Sequence, residues 1–146
     1  MIGLATTRPF LLGVYGSMTF AHNAAGFPIR ADRESLFHVL NIVRDGAFAD
    51  GYDTVKLFTG GGEGAHRIAK DWARFWSYPR FTYARSKRYK TPLKPFGMAQ
   101  KIIRNGIDAL LIVRPESDEQ AIRTMCATHS VTLLDYDDFA SLEIME

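Results

Sequence analysis

The feature that most constrains the fold is an alternation of short apolar runs with amphipathic stretches, repeated along a chain of 146 residues. The apolar runs have the length of buried strands and lie at 10–17, 54–59, 80–84, 107–113 and 131–136. Stretches with apolar residues at helical spacing lie between them, at about 30–45, 63–77, 96–105 and 116–129. This alternation is typical of a parallel sheet with helices on both faces. It predicts a three-layer α/β domain with a mostly parallel five-stranded sheet.

Details of these elements are also predicted. Asp32 is expected to cap the first helix, and the glycine-containing stretch 45–53 to be a turn-rich connector. Trp72 and Trp76 fall on the apolar stripe of the 63–77 helix and are expected in the core. Asp137 or Asp138 could cap a short last helix.

Composition sets limits on the class of protein. A hydrophobic fraction of 47% and a charged fraction of 23% are those of a globular domain, which we expect to span residues 1–146. No apolar run approaches the ~18 residues of a membrane helix. The one cysteine, Cys126, fits a reduced, cytoplasmic setting. His, Cys, Asp and Glu are not clustered at metal-ligand spacing, so neither a metal nor a cofactor is predicted.

The most informative short stretch is the glycine-rich turn between the second strand and the next helix. Its glycines lack the Cβ that would keep an anion from the backbone N–H groups, and the helix N-terminus adds partial positive charge. The sequence therefore predicts a phosphate or carboxylate site, although a tight packing turn would also use glycine. Its predicted contacts are Gly60, Gly61, Gly62, Gly64, His66 and Arg67.

Other candidate residues follow neighbouring strands of the predicted sheet. Gly16 and Ser17 end the first strand, Thr19 lies just beyond it, and Arg114 follows the fourth. Arg85 belongs to a segment, 80–94, that carries six basic residues and no acid. This segment would be a lid over a phosphorylated ligand, a nucleic-acid patch or a solvated loop. Since parallel strands end at one edge, we expect these residues to share a binding site there.

Three segments resemble the YspA-like (DUF2493) branch of the SLOG superfamily, whose Rossmann-like fold is shared with the lysine-decarboxylase-like LOG proteins and the DprA core. "LFTGGGEGAHRIAKDWAR" resembles that branch's "hGgA.GaD..A..WA", and "LLGVYGSMTF" is similar to its opening strand and turn. "FGMAQKIIRNGIDALLIV" resembles its later helix and strand. Met18 stands where the family usually has arginine, and His66 where it has aspartate.

The resemblance implies a nucleotide or nucleotide-derived ligand at the glycine turns, lined by Gly16, Ser17, Gly60, Gly61, Gly62 and Gly64. We therefore expect a sensor or a sequestering protein. Two alternatives stay open: a hydrolase or transferase acting on an N-glycosidic or phosphate bond, with Glu63 as acid/base, and a module that binds single-stranded nucleic acid. Assembly into a homo-oligomer is also open.

Overall fold

The computed structural model describes residues 8–17, 19–60, 63–83, 102–104, 106–115 and 119–144. The strands in these ranges are β1 (Pro9–Gly16), β2 (Thr54–Gly60), β3 (Arg80–Tyr83), β4 (Ala109–Val113) and β5 (Thr132–Asp135). The helices are α1 (Arg30–Ala49), α2 (Ala65–Phe75), α3 (Glu119–Thr128) and α4 (Tyr136–Ile144).

The strands form a single sheet of order β3-β2-β1-β4-β5, in which every neighbouring pair is parallel. This confirms the predicted α/β class and the five-stranded sheet. From β1 the chain builds outward to β2 and β3, and then returns to place β4 on the other side of β1. The strand order therefore reverses between β1 and β4, and this is the place where open α/β sheets bind ligands.

Each face of the sheet has its own hydrophobic cluster. Under α1, α2 and α4, residues such as Leu12, Leu40 and Trp72 are fully buried. On the opposite face, Ile112 packs with Ile122 and Cys126 of α3. The described residues include no helix with the length and apolarity needed to cross a membrane.

The first helix is longer than predicted. Residues 45–49, expected in a connector, continue α1, because Val43 and Ala47 extend its buried stripe by one more turn. The helix ends where Gly51 takes a φ of +101°. There Gly51 N donates to Phe48 O at 3.1 Å and Tyr52 N donates to Ala47 O at 3.2 Å, the hydrogen-bond pattern of a Schellman motif.

Three smaller predictions were wrong. Asp137 and Asp138, expected to cap the last helix, lie in its first turn, and Asp137 N donates to Asp135 Oδ1 at 3.0 Å. Asp32 lies inside the first turn of α1, and the N-cap residue is Ile29, which makes no side-chain capping bond. Trp76 is 43% exposed, because α2 ends at Phe75 and its apolar stripe ends with it. Trp72 is fully buried as predicted, and its Nε1 donates to Asn41 Oδ1 of α1 at 2.9 Å.

Candidate functional site

The carboxyl end of β1 packs tightly against β4 and α2. A Cβ placed on Gly16 would lie 2.4 Å from Val113 O and 3.1 Å from Ala65 Cβ. Contacts this short cannot be accommodated without moving backbone, so packing alone requires glycine at this position. Gly16 therefore brings β1, β4 and the start of α2 together at the predicted ligand-binding edge.

The next residue, Ser17, joins the same elements by hydrogen bonds. Its N–H donates to Val113 O at 3.0 Å, and its carbonyl oxygen accepts from Ala65 N, in the first turn of α2, at 3.2 Å. Its Oγ accepts from Thr19 N at 3.1 Å and lies 2.9 Å from Thr19 Oγ1. One N–H at the start of α2 is thus already satisfied by the protein.

Gly64 supplies the backbone conformation that starts α2. It is the N-cap residue, with a φ of +67°, in the region that favours glycine. Gly60 and Gly64 lie on either side of positions 61 and 62. The predictions for Gly61 and Gly62, and that for Arg85, fall outside the described residues.

His66 ties the ends of β1 and β2 together. The imidazole is only 2% exposed, and its Nδ1 lies 3.0 Å from Gly60 N and 2.8 Å from Thr59 Oγ1. A backbone N–H can only donate, so Nδ1 is the unprotonated nitrogen. Nε2 then carries the proton and donates to Gly16 O at 3.2 Å, a distance shorter than the 3.4 Å to Gly16 N.

This arrangement requires a neutral imidazole. Burial lowers the pKa of His66 from 6.5 to about 4, outweighing the bond to Gly16 that raises it, and the charge of Lys70 lowers it further. A proton on Nδ1 would also point at the N–H of Gly60, and two donors cannot form a hydrogen bond with each other. Both ring nitrogens are therefore engaged within the protein, so His66 holds the two strand ends in place and its ring does not reach into open space.

A groove of about 330 Å³ opens beside the start of α2. Glu63, Gly64 and Arg67, all predicted site residues, form one wall. Apolar contacts come from Ala21, Pro28, Ile29 and Ile68. The remaining lining residues, which the sequence analysis did not identify, are His22, Arg30 and Arg33.

Three arginines, Arg30, Arg33 and Arg67, place positive charge along the groove. Each is paired with a carboxylate: Arg67 with Glu63 at 3.3 Å, Arg33 with Asp71 at 2.9 Å and Arg30 with Glu34 at 3.0 Å. The Arg30 and Arg67 pairs are largely exposed and the Arg33–Asp71 pair is partly exposed, and exposed pairs contribute roughly 0–1 kcal/mol. Each of these ion pairs uses one nitrogen of a guanidinium that carries five N–H donors. The arginines can therefore also bind an anion in the groove.

The loop between β1 and α1 forms the wall of the groove that faces Glu63, Gly64 and Arg67. Asn23 Oδ1 accepts from Ala25 N at 2.9 Å and Phe27 N at 3.0 Å, and a β-bridge joins His22 to Pro28. Ala21, at the base of this loop, has a φ of +66°, unusual for a residue other than glycine.

Arg114, at the end of β4, is directed to a different partner. Its Nε and Nη2 both bond to Asp137 Oδ1, at 3.1 and 3.0 Å, and this bond raises the pKa of the guanidinium. The guanidinium carbon lies 5.8 Å from the ring of Phe20 and 5.5 Å from that of Tyr136. Arg114 therefore connects β4 with α4 and the loop after β1.

The predicted residues thus fall into three groups. Gly16, Ser17, Thr19, Gly60 and His66 join the strand ends; Glu63, Gly64 and Arg67 line the groove; Arg114 contacts Asp137. Among the described residues, no group of three or more His, Cys, Asp or Glu is placed to hold a metal ion. No family model, curated protein or solved structure matches the chain.

Proposed function

We propose that the protein binds a nucleotide or nucleotide-derived ligand at the carboxyl edge of its sheet, as a sensor or a sequestering protein, and that it is a divergent member of the SLOG superfamily. The observation that carries the proposal is the groove, where Arg30, Arg33 and Arg67 converge beside the glycine turn that starts α2.

The groove combines the two properties that such a ligand needs. Guanidinium groups bind phosphate through paired N–H donors, and they do so better than the point charge of lysine. The apolar wall of Ala21, Pro28, Ile29 and Ile68 offers contact area to a base or a ribose. A ligand with an anionic end and a flat, less polar end therefore fits this groove better than a free inorganic anion.

Backbone strain at the same edge supports the proposal. Four described residues other than glycine have positive φ angles; Ser77 and Ser130 follow the ends of α2 and α3, where a left-handed residue commonly closes a helix, whereas Ala21 (+66°) and Arg114 (+48°) lie at this edge. Outside glycine, such conformations cost of order 1 kcal/mol and are concentrated at functional sites. Ala21 lines the groove, and Arg114 directly follows β4, which lies beside β1 where the strand order reverses.

A thermal-shift screen tests the proposal directly. The probes are AMP, cyclic AMP, NAD and ADP-ribose, with inorganic phosphate as the comparison. A ligand at about 100 times its dissociation constant stabilises the native state by about 2.7 kcal/mol. We expect at least one nucleotide to raise the melting temperature and inorganic phosphate not to. Failure of every nucleotide would refute the proposal.

Arg67→Gln then tests the location of the site by calorimetry. Losing a charge-assisted hydrogen bond costs about 1.5–3 kcal/mol, so we expect affinity to fall about tenfold to a hundredfold. Arg123→Gln is the control, because Arg123 pairs with Glu119 at the same i,i+4 spacing on α3, and also with Asp135 at 3.2 Å, and does not line the groove. Equal affinities for the two variants would place the ligand elsewhere.

A further inference from the structure

The groove contains a histidine whose two ring nitrogens have different surroundings. Nδ1 of His22 lies 3.1 Å from Phe20 O, and since a carbonyl oxygen only accepts, Nδ1 carries a proton and donates it. In the neutral ring, Nε2 is then an acceptor. Among the described residues Nε2 has no hydrogen-bond partner, and no buried side-chain nitrogen there lacks one. Nε2 is therefore accessible, in a half-buried side chain that lines the groove.

The backbone holds His22 in place before any ligand arrives. Its N–H donates to Thr19 O at 3.1 Å, and its β-bridge to Pro28 closes the loop. The preceding residue, Ala21, takes the strained φ of +66° that turns the chain at this point. Strained residues persist where their surroundings fix them, and they are concentrated at functional sites. A ring that is already positioned loses little entropy when it binds a ligand.

His22 lies beside the arginines of α1. Ile29 N donates to Ala21 O at 2.6 Å, so the segment that carries His22 runs alongside the start of α1. Arg30 and Arg33 extend from the first turn of that helix into the same groove. In a nucleotide the ribose is bonded directly to the phosphate, and the base is one group further away. An acceptor beside phosphate-binding arginines is therefore closest to the sugar.

The other polar side chains of the groove cannot serve a hydroxyl in the same way. Guanidinium groups only donate, and the carboxylate of Glu63 is paired with Arg67 at 3.3 Å. Among the described lining residues, His22 has the one neutral side-chain acceptor. We propose that His22 Nε2 accepts a hydrogen bond from a ribose hydroxyl of the bound nucleotide, so that the groove selects its ligand by the sugar. This inference rests on the proposed function, which places a nucleotide in the groove.

Calorimetry with AMP, 2′-deoxy-AMP and 3′-deoxy-AMP tests the proposal. We expect wild type to bind AMP about threefold to tenfold more tightly than one of the deoxy analogues, the loss that one neutral hydrogen bond gives. His22→Asn keeps an amide that can donate to Phe20 O, but it has no acceptor at the position of Nε2. We expect the preference for AMP to fall to within about twofold in this variant. His129→Asn is the matched control, because His129 is exposed just after α3 and does not line the groove.

A second variant separates contact with the ligand from support of the loop. The longer side chain of His22→Gln brings an amide oxygen to the position of Nε2, and this oxygen accepts. His22→Gln should therefore retain the preference that His22→Asn loses. Loss of the preference in both variants would show that the ring only supports the loop, and would overturn the proposal.

The remaining outcomes distinguish this proposal from the proposed function. A wild-type protein without a preference between AMP and its deoxy analogues refutes the contact, and so does a preference that His22→Asn or His129→Asn leaves or removes equally. A preference for AMP over IMP that His22→Asn removes, without a sugar preference, would place the ring against the base instead. If another nucleotide of the screen binds and AMP does not, the contact is refuted and the proposed function stands. If none binds, both fail.

Discussion

Among single residues, His66 shows how one side chain can fix the geometry of a strand edge. Its ring accepts a hydrogen bond from Gly60 N–H and donates one to Gly16 O. It therefore needs one unprotonated and one protonated ring nitrogen. An ionised aspartate at this position could only accept hydrogen bonds. The imidazole therefore makes a connection between the ends of β1 and β2 that a carboxylate could not make in the same way.

The low pKa of His66 predicts acid sensitivity. The native pKa is about 4 and the ordinary value 6.5, so the unfolded chain binds more protons between these pH values. The stability that the neutral ring confers is complete above pH 6.5 and is lost as the pH falls toward 4, by up to about 3 kcal/mol. Urea unfolding of wild type and His66→Gln at several pH values should show a flatter pH dependence in the variant.

An exposed histidine provides the comparison for that experiment. His129→Gln changes a side chain just after α3, and it should retain the wild-type dependence on pH. If His129→Gln flattened the curve as much as His66→Gln, the acid sensitivity would not come from the connection between β1 and β2.

A substitution of Glu63 distinguishes a protein that only binds a nucleotide from an enzyme that acts on one. Its carboxylate is 60% exposed and paired with Arg67 at 3.3 Å, where it competes with any anion for the guanidinium. We expect Glu63→Gln to bind the nucleotide found in the screen equally well or up to about threefold more tightly. Calorimetry measures this change. Wild-type turnover of that nucleotide, lost in Glu63→Gln with binding retained, would instead identify an enzyme.

At the scale of elements, two glycines in regular secondary structure should respond oppositely to the same substitution. Gly16→Ala should lower the free energy of unfolding by about 1–3 kcal/mol, since the new methyl group meets Val113 O at 2.4 Å. Gly46→Ala should raise it by about 0.5–1 kcal/mol, because Gly46 lies inside α1 and its Cβ would meet no other described atom within 4 Å. Chemical denaturation of both variants tests this, and a stabilised Gly16→Ala would contradict the packing described for β1.

Helix and strand positions were predictable to the extent that they depend on local pattern. The buried runs of β2 and β4 were found within two residues. The end of α1 was missed because Gly46 and Gly51 look alike in sequence, and only the second takes a positive φ. Trp76 was misplaced because helical periodicity does not tell where a helix stops.

On the scale of the whole molecule, the alternation of apolar runs with amphipathic stretches predicted the parallel sheet. It also predicted the edge at which the strands end. It could not predict the groove, because Arg30, Arg33 and Arg67 come from two helices whose contact depends on strand order. Their positions in the first turns of those helices were a usable signal, since both first turns lie at the carboxyl edge of a parallel sheet. The inward orientation of His66 had no such signal, because a first-turn histidine more often meets solvent.

The central position of β1 has a consequence for synthesis. This strand emerges from the ribosome before any other described strand, yet its two neighbours begin at Thr54 and Ala109. Until the second of these has been translated, β1 can pair along one side only, and its other row of backbone donors and acceptors stays open. Open strand edges recruit foreign strands, and such distant pairing folds slowly. Nascent chains arrested before Ala109 should therefore need chaperone protection that chains released after Asp135 do not.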